Sequence, residues 1–89
     1  MISLQVALGR AIRRLREDQE ISQEKFAAKA GLDRTYQTSV ETGRRNVSLH
    51  TIELIATALG IDTGVLLAAA ELERRASAKI ERKPASRSR

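Results

Sequence analysis

The chain has 89 residues, of which 42% are hydrophobic and 2% aromatic, and its formal net charge at pH 7 is +5. This length suits one domain with a modest aliphatic core, and the good helix formers in the composition favour an all-α structure. The absence of cysteine excludes a disulfide framework, a zinc finger and a thiol nucleophile, and the single histidine, His50, cannot build a His-based metal site alone.

The first predicted helix is amphipathic and spans residues 4–19. Ser3 precedes it and can cap its free N–H groups. Its apolar residues recur every three or four positions and form one stripe: Leu4, Leu8, Ile12 and Leu15. We therefore expect this stripe to face the core.

The stretch from Ser22 to Tyr36 predicts a short helix, a tight turn and a second short helix. Ser22 and Asp33 can cap helices over residues 23–30 and 34–42, and Gly31 suits the left-handed residue that ends the first of them. Helices this short cannot stand alone, and the short connection makes them cross steeply. This is the geometry of a helix-turn-helix that reads DNA.

The third predicted helix has one aliphatic residue, Val40, which must face inward. Polar side chains then point outward: Arg34, Thr35, Thr38, Ser39 and Thr42. Arginine can bind guanine with two hydrogen bonds, and threonine or serine can donate, accept or contact a thymine methyl group. A solvated surface is the simpler interpretation of such a face, but the preceding helix-turn-helix favours base contacts: Arg34, Thr35, Thr38 and Ser39.

Polar residues around the third helix are candidates for contacts with the DNA backbone. Gln23 lies in the first turn of the second helix, where free N–H groups and the side-chain amide can hold a phosphate. Other candidates follow the third helix directly, with an ordinary solvated loop as the alternative. The full set of candidates is Gln23, Tyr36, Arg44, Arg45 and Asn46.

Glu41 is a candidate for a structural role. It follows Val40 near the inward face of the third helix, so we expect a partly buried carboxylate that needs a partner. Arg16, at the end of the first helix, is the predicted partner. The pair would orient the reading helix.

A fourth and a fifth helix complete the predicted domain. Ser48 can cap a helix over residues 49–59, Gly60 ends it, and Asp62 can cap the fifth. The apolar face of the fourth helix carries Leu49, Ile52, Ile55, Ala56 and Leu59. The fifth continues for about twenty residues before Pro84, longer than a five-helix core needs. We expect a domain over residues 1–82 and a disordered basic tail over residues 83–89.

Residues 12–67 resemble the Cro/phage-repressor, or xenobiotic-response-element, helix-turn-helix family. The matching residues are Leu15-Arg16, Ser22-Gln23, Phe26-Ala27, Ala30-Gly31-Leu32, Tyr36, Val40-Glu41, Gly43, Arg45-Asn46, Ser48-Leu49, Ile55-Ala56 and Ala58-Leu59-Gly60. Residues 33–36 and 45–49 look most like the small controller proteins of restriction–modification systems. The resemblance implies a compact five-helix fold like that of lambda repressor. It also implies a symmetric dimer on a pseudo-palindrome with half-sites ~34 Å apart.

Gln37 departs from the family pattern, which usually has an aliphatic residue at this inward position of the third helix. A buried amide without partners costs about 1–3 kcal/mol. Two outcomes are therefore open. Either Gln37 turns toward Tyr36 and the groove, or the third helix is shifted.

These features predict a sequence-specific transcription regulator that binds double-stranded DNA as a homodimer. The alternative is an antitoxin or regulatory subunit that holds a protein partner through the fifth helix or the basic tail. A general architectural binder that contacts only phosphates is a third possibility. The candidate dimer interface combines the fifth-helix stripe with an exposed residue of the fourth helix: Leu54, Val65, Ala69 and Leu72.

No enzymatic constellation is present in the sequence. It lacks a phosphate-binding glycine loop, a serine–histidine–aspartate set and a pair of carboxylates on one inward face. Cofactors are not implied. No apolar run is long enough to span a bilayer and the N-terminus lacks a secretory pattern, so we expect a cytoplasmic chain.

Overall fold

The computed structural model describes the backbone of residues 1–87 and the side chains of residues 1–78. Within this part the chain forms five α-helices and no β-strand: α1 (Leu4–Asp18), α2 (Gln23–Ala30), α3 (Arg34–Glu41), α4 (Leu49–Leu59) and α5 (Thr63–Arg87). The predicted five-helix, all-α fold is confirmed. Helices α2 and α4 have the predicted bounds, whereas α1 and α3 end one residue earlier, with Gln19 and Thr42 as C-caps.

Short polar side chains begin the first four helices. In each case the side-chain oxygen of the cap accepts a hydrogen bond from the backbone N–H three residues later, and the caps are Ser3, Ser22, Asp33 and Ser48. Gly31 and Gly60 end α2 and α4 with φ angles of 75° and 76°. Glycine adopts this left-handed conformation without a steric penalty. Local sequence therefore sets where the helix-turn-helix bends.

The hydrophobic core is assembled around α1. Helix α1 packs along α5 and also contacts α3 and α4, while α2 contacts both α3 and α4. Four helices each contribute one large side chain that is essentially inaccessible to solvent: Ile12, Phe26, Ile55 and Leu66. Val40 is the aliphatic contribution of α3, and it is 2% exposed. Burial of these apolar surfaces holds helices that are too short to be stable alone.

Two residues of the predicted apolar stripes are not in the core. Leu49 is 78% exposed and Leu4 is 44% exposed, so these two members of the apolar faces lie outside the core. Each is the first residue of its helix. Periodicity identifies the apolar face of a helix, but it does not tell how far the neighbouring helices cover that face.

Helix α5 is the longest of the described helices and continues through Pro84 to Arg87. The predicted tail, residues 83–89, falls where the structure describes no side chains, so the domain division at residue 82 stays a prediction. Among the described residues no single helix is both long and apolar enough to cross a bilayer. Helix α4 and residues 63–78 of α5 have that length and composition only as a pair, and they are bent by 97° at their junction.

Candidate nucleic-acid interface

The outward face of α3 presents the four predicted base-contacting residues. Arg34, Thr35 and Thr38 are exposed and Ser39 is half-buried. Thr38 Oγ1 lies 3.1 Å from Gln23 Oε1 and 3.1 Å from the carbonyl oxygen of Arg34, and Ser39 Oγ donates to the carbonyl oxygen of Thr35 at 3.1 Å. Because these hydroxyl hydrogens are directed into the protein, their oxygen lone pairs and the Thr38 methyl group remain available to a ligand.

A buried ion pair lies behind this face. Arg16 and Glu41 are 7% and 6% exposed. Arg16 Nε donates to Glu41 Oε2 at 2.7 Å and Arg16 Nη2 donates to Glu41 Oε1 at 3.0 Å, which is the two-bond geometry that a guanidinium favours. Arg16 Nη1 also donates to the carbonyl oxygen of Ile21 at 2.7 Å. The structure thus brings together the two residues assigned to an ion pair, and they join α1 to α3.

Two glutamines complete the hydrogen bonding of the Glu41 carboxylate. Gln23 Nε2 donates to Oε1 at 2.9 Å and Gln37 Nε2 donates to Oε2 at 2.8 Å. Each carboxylate oxygen therefore accepts two hydrogen bonds. We call Arg16, Gln23, Gln37 and Glu41 the carboxylate network. Since Gln23 also accepts from Thr38, the network reaches the outward face of α3.

Helix α3 begins at Arg34 as predicted, and its shift stays a prediction. Gln37 itself is fully buried, so the predicted turn of its amide toward the groove is wrong. The physical reason is the Glu41 carboxylate, which offers the Gln37 N–H a charged acceptor inside the protein. Gln37 Oε1 has no hydrogen-bond partner among the described residues, which costs about 1–3 kcal/mol.

The carboxylate network keeps Glu41 ionised. Burial by itself would raise the pKa of Glu41, but the hydrogen bonds from Arg16, Gln23 and Gln37 and the charge of Arg16 outweigh it and hold this pKa below its ordinary value. The hydrogen bond to Glu41 likewise raises the pKa of Arg16. Arg16 and Glu41 therefore form an ion pair throughout the neutral pH range.

The predicted backbone-contacting residues border the α3 face. Gln23 lies at the start of α2 and is half-buried against Thr38. Arg44, Arg45 and Asn46 are exposed in the loop after α3. The guanidinium carbon of Arg45 lies 5.1 Å from the centroid of the Tyr36 ring, a cation–π distance. Tyr36 thus restrains an arginine of the loop beside the outward face of α3.

Gly9 positions α3, and sequence reasoning missed it. A Cβ atom at Gly9 would lie 2.3 Å from the carbonyl oxygen of Val40 and 2.8 Å from that of Glu41, so the α1 backbone directly contacts the last turn of α3. Gln5 Nε2 adds a hydrogen bond to the Gly43 carbonyl oxygen at 2.7 Å. The available signal was an isolated glycine within a strongly helical segment, which usually has a packing reason.

The chain matches a known protein-family model over most of its length. The helix-turn-helix domain model matches residues 7–77, which include α1 to α4 almost entirely and the packed part of α5. The chain belongs to the helix-turn-helix domain family. The resemblance predicted from residues 12–67 is therefore confirmed.

Restriction–modification controllers are among the relatives of this helix-turn-helix domain. Control protein C.MunI from Mycoplasma sp is 42% identical over 74 residues, which are 82% of this chain and 100% of that protein. The controller C.AhdI from Aeromonas hydrophila is 47% identical with a TM-score of 0.68, covering 70% of this chain and 94% of that one. The controller C.Esp1396I, solved as a tetramer with its natural 35 base-pair operator, is 29% identical with a TM-score of 0.74, covering 82% and 96%. The predicted similarity to controller proteins is confirmed.

The predicted dimer residues lie on α4 and α5. Val65 and Leu72 are 54% and 59% exposed, and Ala69 between them is half-buried. The three share one face of α5 because they are spaced by four and three residues. Leu54 is half-buried rather than exposed, since it lines the groove at the α4–α5 corner beside Ile61.

The described side chains include few potential metal ligands in close groups. No group of three or more His, Cys, Asp or Glu residues there could hold a metal ion. The single histidine, His50, is exposed on α4, and its Nδ1 lies 3.8 Å from Glu53 Oε1.

Proposed function

We propose that this chain is a sequence-specific, DNA-binding transcription regulator of the restriction–modification controller type. It acts as a homodimer on a pseudo-palindromic operator, without catalytic activity, in the cytoplasm. The observation that carries the proposal is the α3 face, whose exposed polar residues are backed by the buried carboxylate network. The operator complex of C.Esp1396I supports it.

Helix α3 enters the major groove in the proposed complex. The Arg34 guanidinium has no hydrogen-bond partner among the described residues and binds guanine O6 and N7. Thr38 offers a lone pair and a methyl group, which suit a base amino group or a thymine methyl. Thr35 and Ser39 provide the remaining base contacts.

Phosphate contacts fix the register of α3 in the groove. Gln23 keeps one Nε2 hydrogen beyond the one donated to Glu41, and this hydrogen and the α2 N-terminus bind a phosphate. Arg44, Arg45, Asn46 and Tyr36 contact the backbone on the other side of the reading face. Because Gln23 bonds both Glu41 and Thr38, the phosphate and base contacts keep a constant separation.

A selection from a random DNA pool at stated salt, followed by an Arg34→Ala variant, tests the proposal. We expect wild type to select a pseudo-palindrome with half-sites about one helical turn apart. Loss of a bidentate arginine–guanine pair costs about 1–3 kcal/mol, so Arg34→Ala should weaken operator binding by roughly 5- to 150-fold for each half-site that the homodimer contacts. It should also relax the preference at one position of each half-site.

The matched control is Arg75→Ala, which removes an exposed arginine of α5 outside the helix-turn-helix. We expect its base preferences to equal those of wild type. An Arg34→Ala protein that keeps every base preference would show that Arg34 does not read a base. A wild-type protein that selects no sequence would overturn the proposed function.

A further inference from the structure

The chain continues beyond its family domain as a basic segment. The family match ends at residue 77. Residues 78–89, which we call the basic extension, contain five basic residues and one acidic residue, a net charge of +4: Lys79, Arg82, Lys83, Arg87 and Arg89 against Glu81. Residues 1–77 contain eleven basic and ten acidic residues, a net charge of +1. Most of the net positive charge of the chain therefore lies outside the matched helix-turn-helix domain.

The acidic residues of α5 whose side chains the structure describes, Glu71 and Glu73, do not compensate for this charge. Glu71 accepts from Arg74 Nη1 at 3.1 Å, and Glu73 is paired with Arg14 of α1. Both acidic side chains are thus neutralised by arginines of the described domain. The basic extension keeps its net positive charge and attracts a polyanion.

The start of α1 contacts both α5 and the residue before the loop that follows α3. Arg74 Nε lies 3.4 Å from the carbonyl oxygen of Ile2, which places this part of α5 beside the start of α1. One turn along α1, Gln5 donates to the carbonyl oxygen of Gly43, the residue before Arg44. Through these two contacts the start of α1 links α5, four residues before the extension, to the residue that precedes Arg44.

We propose that the basic extension binds DNA phosphates beside the operator contacts of α3, without reading sequence. The inference rests on the proposed function, which places DNA against the loop at Arg44. Arg89 is 15 residues beyond Arg74, so even a helical segment spans about 22 Å, enough to pass several phosphates. Its cations release counterions from DNA and so raise affinity for every sequence alike.

The test compares three full-length proteins. The first is wild type, and the second carries Lys79→Gln, Arg82→Gln, Lys83→Gln, Arg87→Gln and Arg89→Gln. Glutamine has nearly the helix propensity of lysine and arginine, so the change removes charge with little effect on local structure. The third keeps the composition of residues 78–89 but permutes their order. Thermal melting checks that all three retain the folded domain.

Dissociation constants are measured for operator and random duplexes of equal length over a series of salt concentrations. We expect the glutamine variant to lose the same factor of affinity on both duplexes. The slope of log K against log salt should become shallower by about 0.9 for each phosphate that the variant no longer neutralises. The permuted variant should match wild type, because phosphate binding depends on charge and not on order.

Two results would overturn the inference. One is a glutamine variant whose affinity and salt slope equal those of wild type. That result would favour binding of the extension to a protein partner instead. The other is a permuted variant as weak as the glutamine variant, since order would then matter. If wild type shows no operator preference, the proposed function fails, and the slopes on random DNA still decide the role of the extension.

Discussion

Glu41 is the residue on which the orientation of α3 depends most. Its buried carboxylate accepts four hydrogen bonds, two from Arg16 and one each from Gln23 and Gln37. A buried charge is costly unless it is paired and fully hydrogen-bonded. The network meets this requirement and at the same time joins α1, α2 and α3. Gln37 is needed for this hydrogen bonding, since an aliphatic residue at its position would leave the Glu41 carboxylate with one donor fewer.

Glu41→Gln should reveal the ion pair through its pH dependence. Removing one partner of a buried pair costs about 3–5 kcal/mol, so we expect the unfolding free energy at pH 7 to fall by about that amount. The pKa of Glu41 is lowered in the folded state. Its contribution is therefore present above the unfolded pKa of about 4.3 and is lost as pH falls through the folded pKa. Denaturant titrations should show the gap between the two proteins closing below about pH 4.

The control for this prediction is Glu53→Gln. Glu53 Oε1 lies 3.8 Å from His50 Nδ1, in a pair whose side chains are 69% and 77% exposed and which does not contact the carboxylate network. Exposed pairs contribute about 0–1 kcal/mol, so this variant should stay within that range of wild type. A Glu41→Gln protein as stable as the control at pH 7 would contradict a stabilising role for the network.

Helix α3 is positioned as an element by direct backbone contact with α1. The absent side chain of Gly9 lets α1 approach the carbonyl groups of Val40 and Glu41. The Asp33 cap sets where α3 begins, and the Gln5 bond to Gly43 holds the turn that follows its end. The reading face is thus presented by a rigid element, which suits readout through hydrogen bonds of fixed geometry.

Gly9→Ala should destabilise the protein although alanine is the better helix former. The new Cβ would overlap backbone atoms that cannot move away alone, and overpacking of this kind costs about 1–3 kcal/mol. Gly64→Ala is the matched control in α5, where an added Cβ meets nothing within 4 Å. Because Gly64 is the second residue of α5 and not in the helix interior, we expect the stabilisation to be at most about 0.5–1 kcal/mol. Chemical denaturation of both variants tests the contrast, and equal stabilisation would show that the α1–α3 contact is not tight.

At the scale of the whole molecule, α5 leaves an apolar face uncovered. Leu66 and Ala70 on its other side are fully buried against the domain. Val65 and Leu72 remain more than half exposed, with Ala69 between them. We propose that a second copy of the chain covers this face together with Leu54. Such an interface would place two α3 helices on one operator.

Leu72→Glu should produce monomers and weaken operator binding. A carboxylate on each side of a symmetric interface introduces repulsion and buries charge. The matched control is Leu49→Glu, because Leu49 is 78% exposed and lies on α4 outside the proposed interface. Sedimentation velocity measures the oligomeric state of both. If Leu72→Glu dimerises like wild type while Leu49→Glu does not, the interface lies at the start of α4.

Much of the candidate site was predictable because its signals are local. Caps such as Ser22 and Asp33 and the ending glycine Gly31 act through the backbone within a few residues, so they marked α2 and α3 closely. Leu54 was misjudged because its exposure depends on how α5 meets α4 at their corner. The contact of Gly9 with α3 was missed because it too depends on how two helices pack.

The sequence by itself determined the helices, their turns and the polar face of α3, because caps, glycines and periodicity act over a few residues. It also places most of the net positive charge in the basic extension. Only the tertiary structure decided the state of Gln37. Its burial depends on Glu41, and the ionised Glu41 depends in turn on Arg16 from another helix. Whether a polar side chain is tolerated in a core is decided by partners that folding brings together.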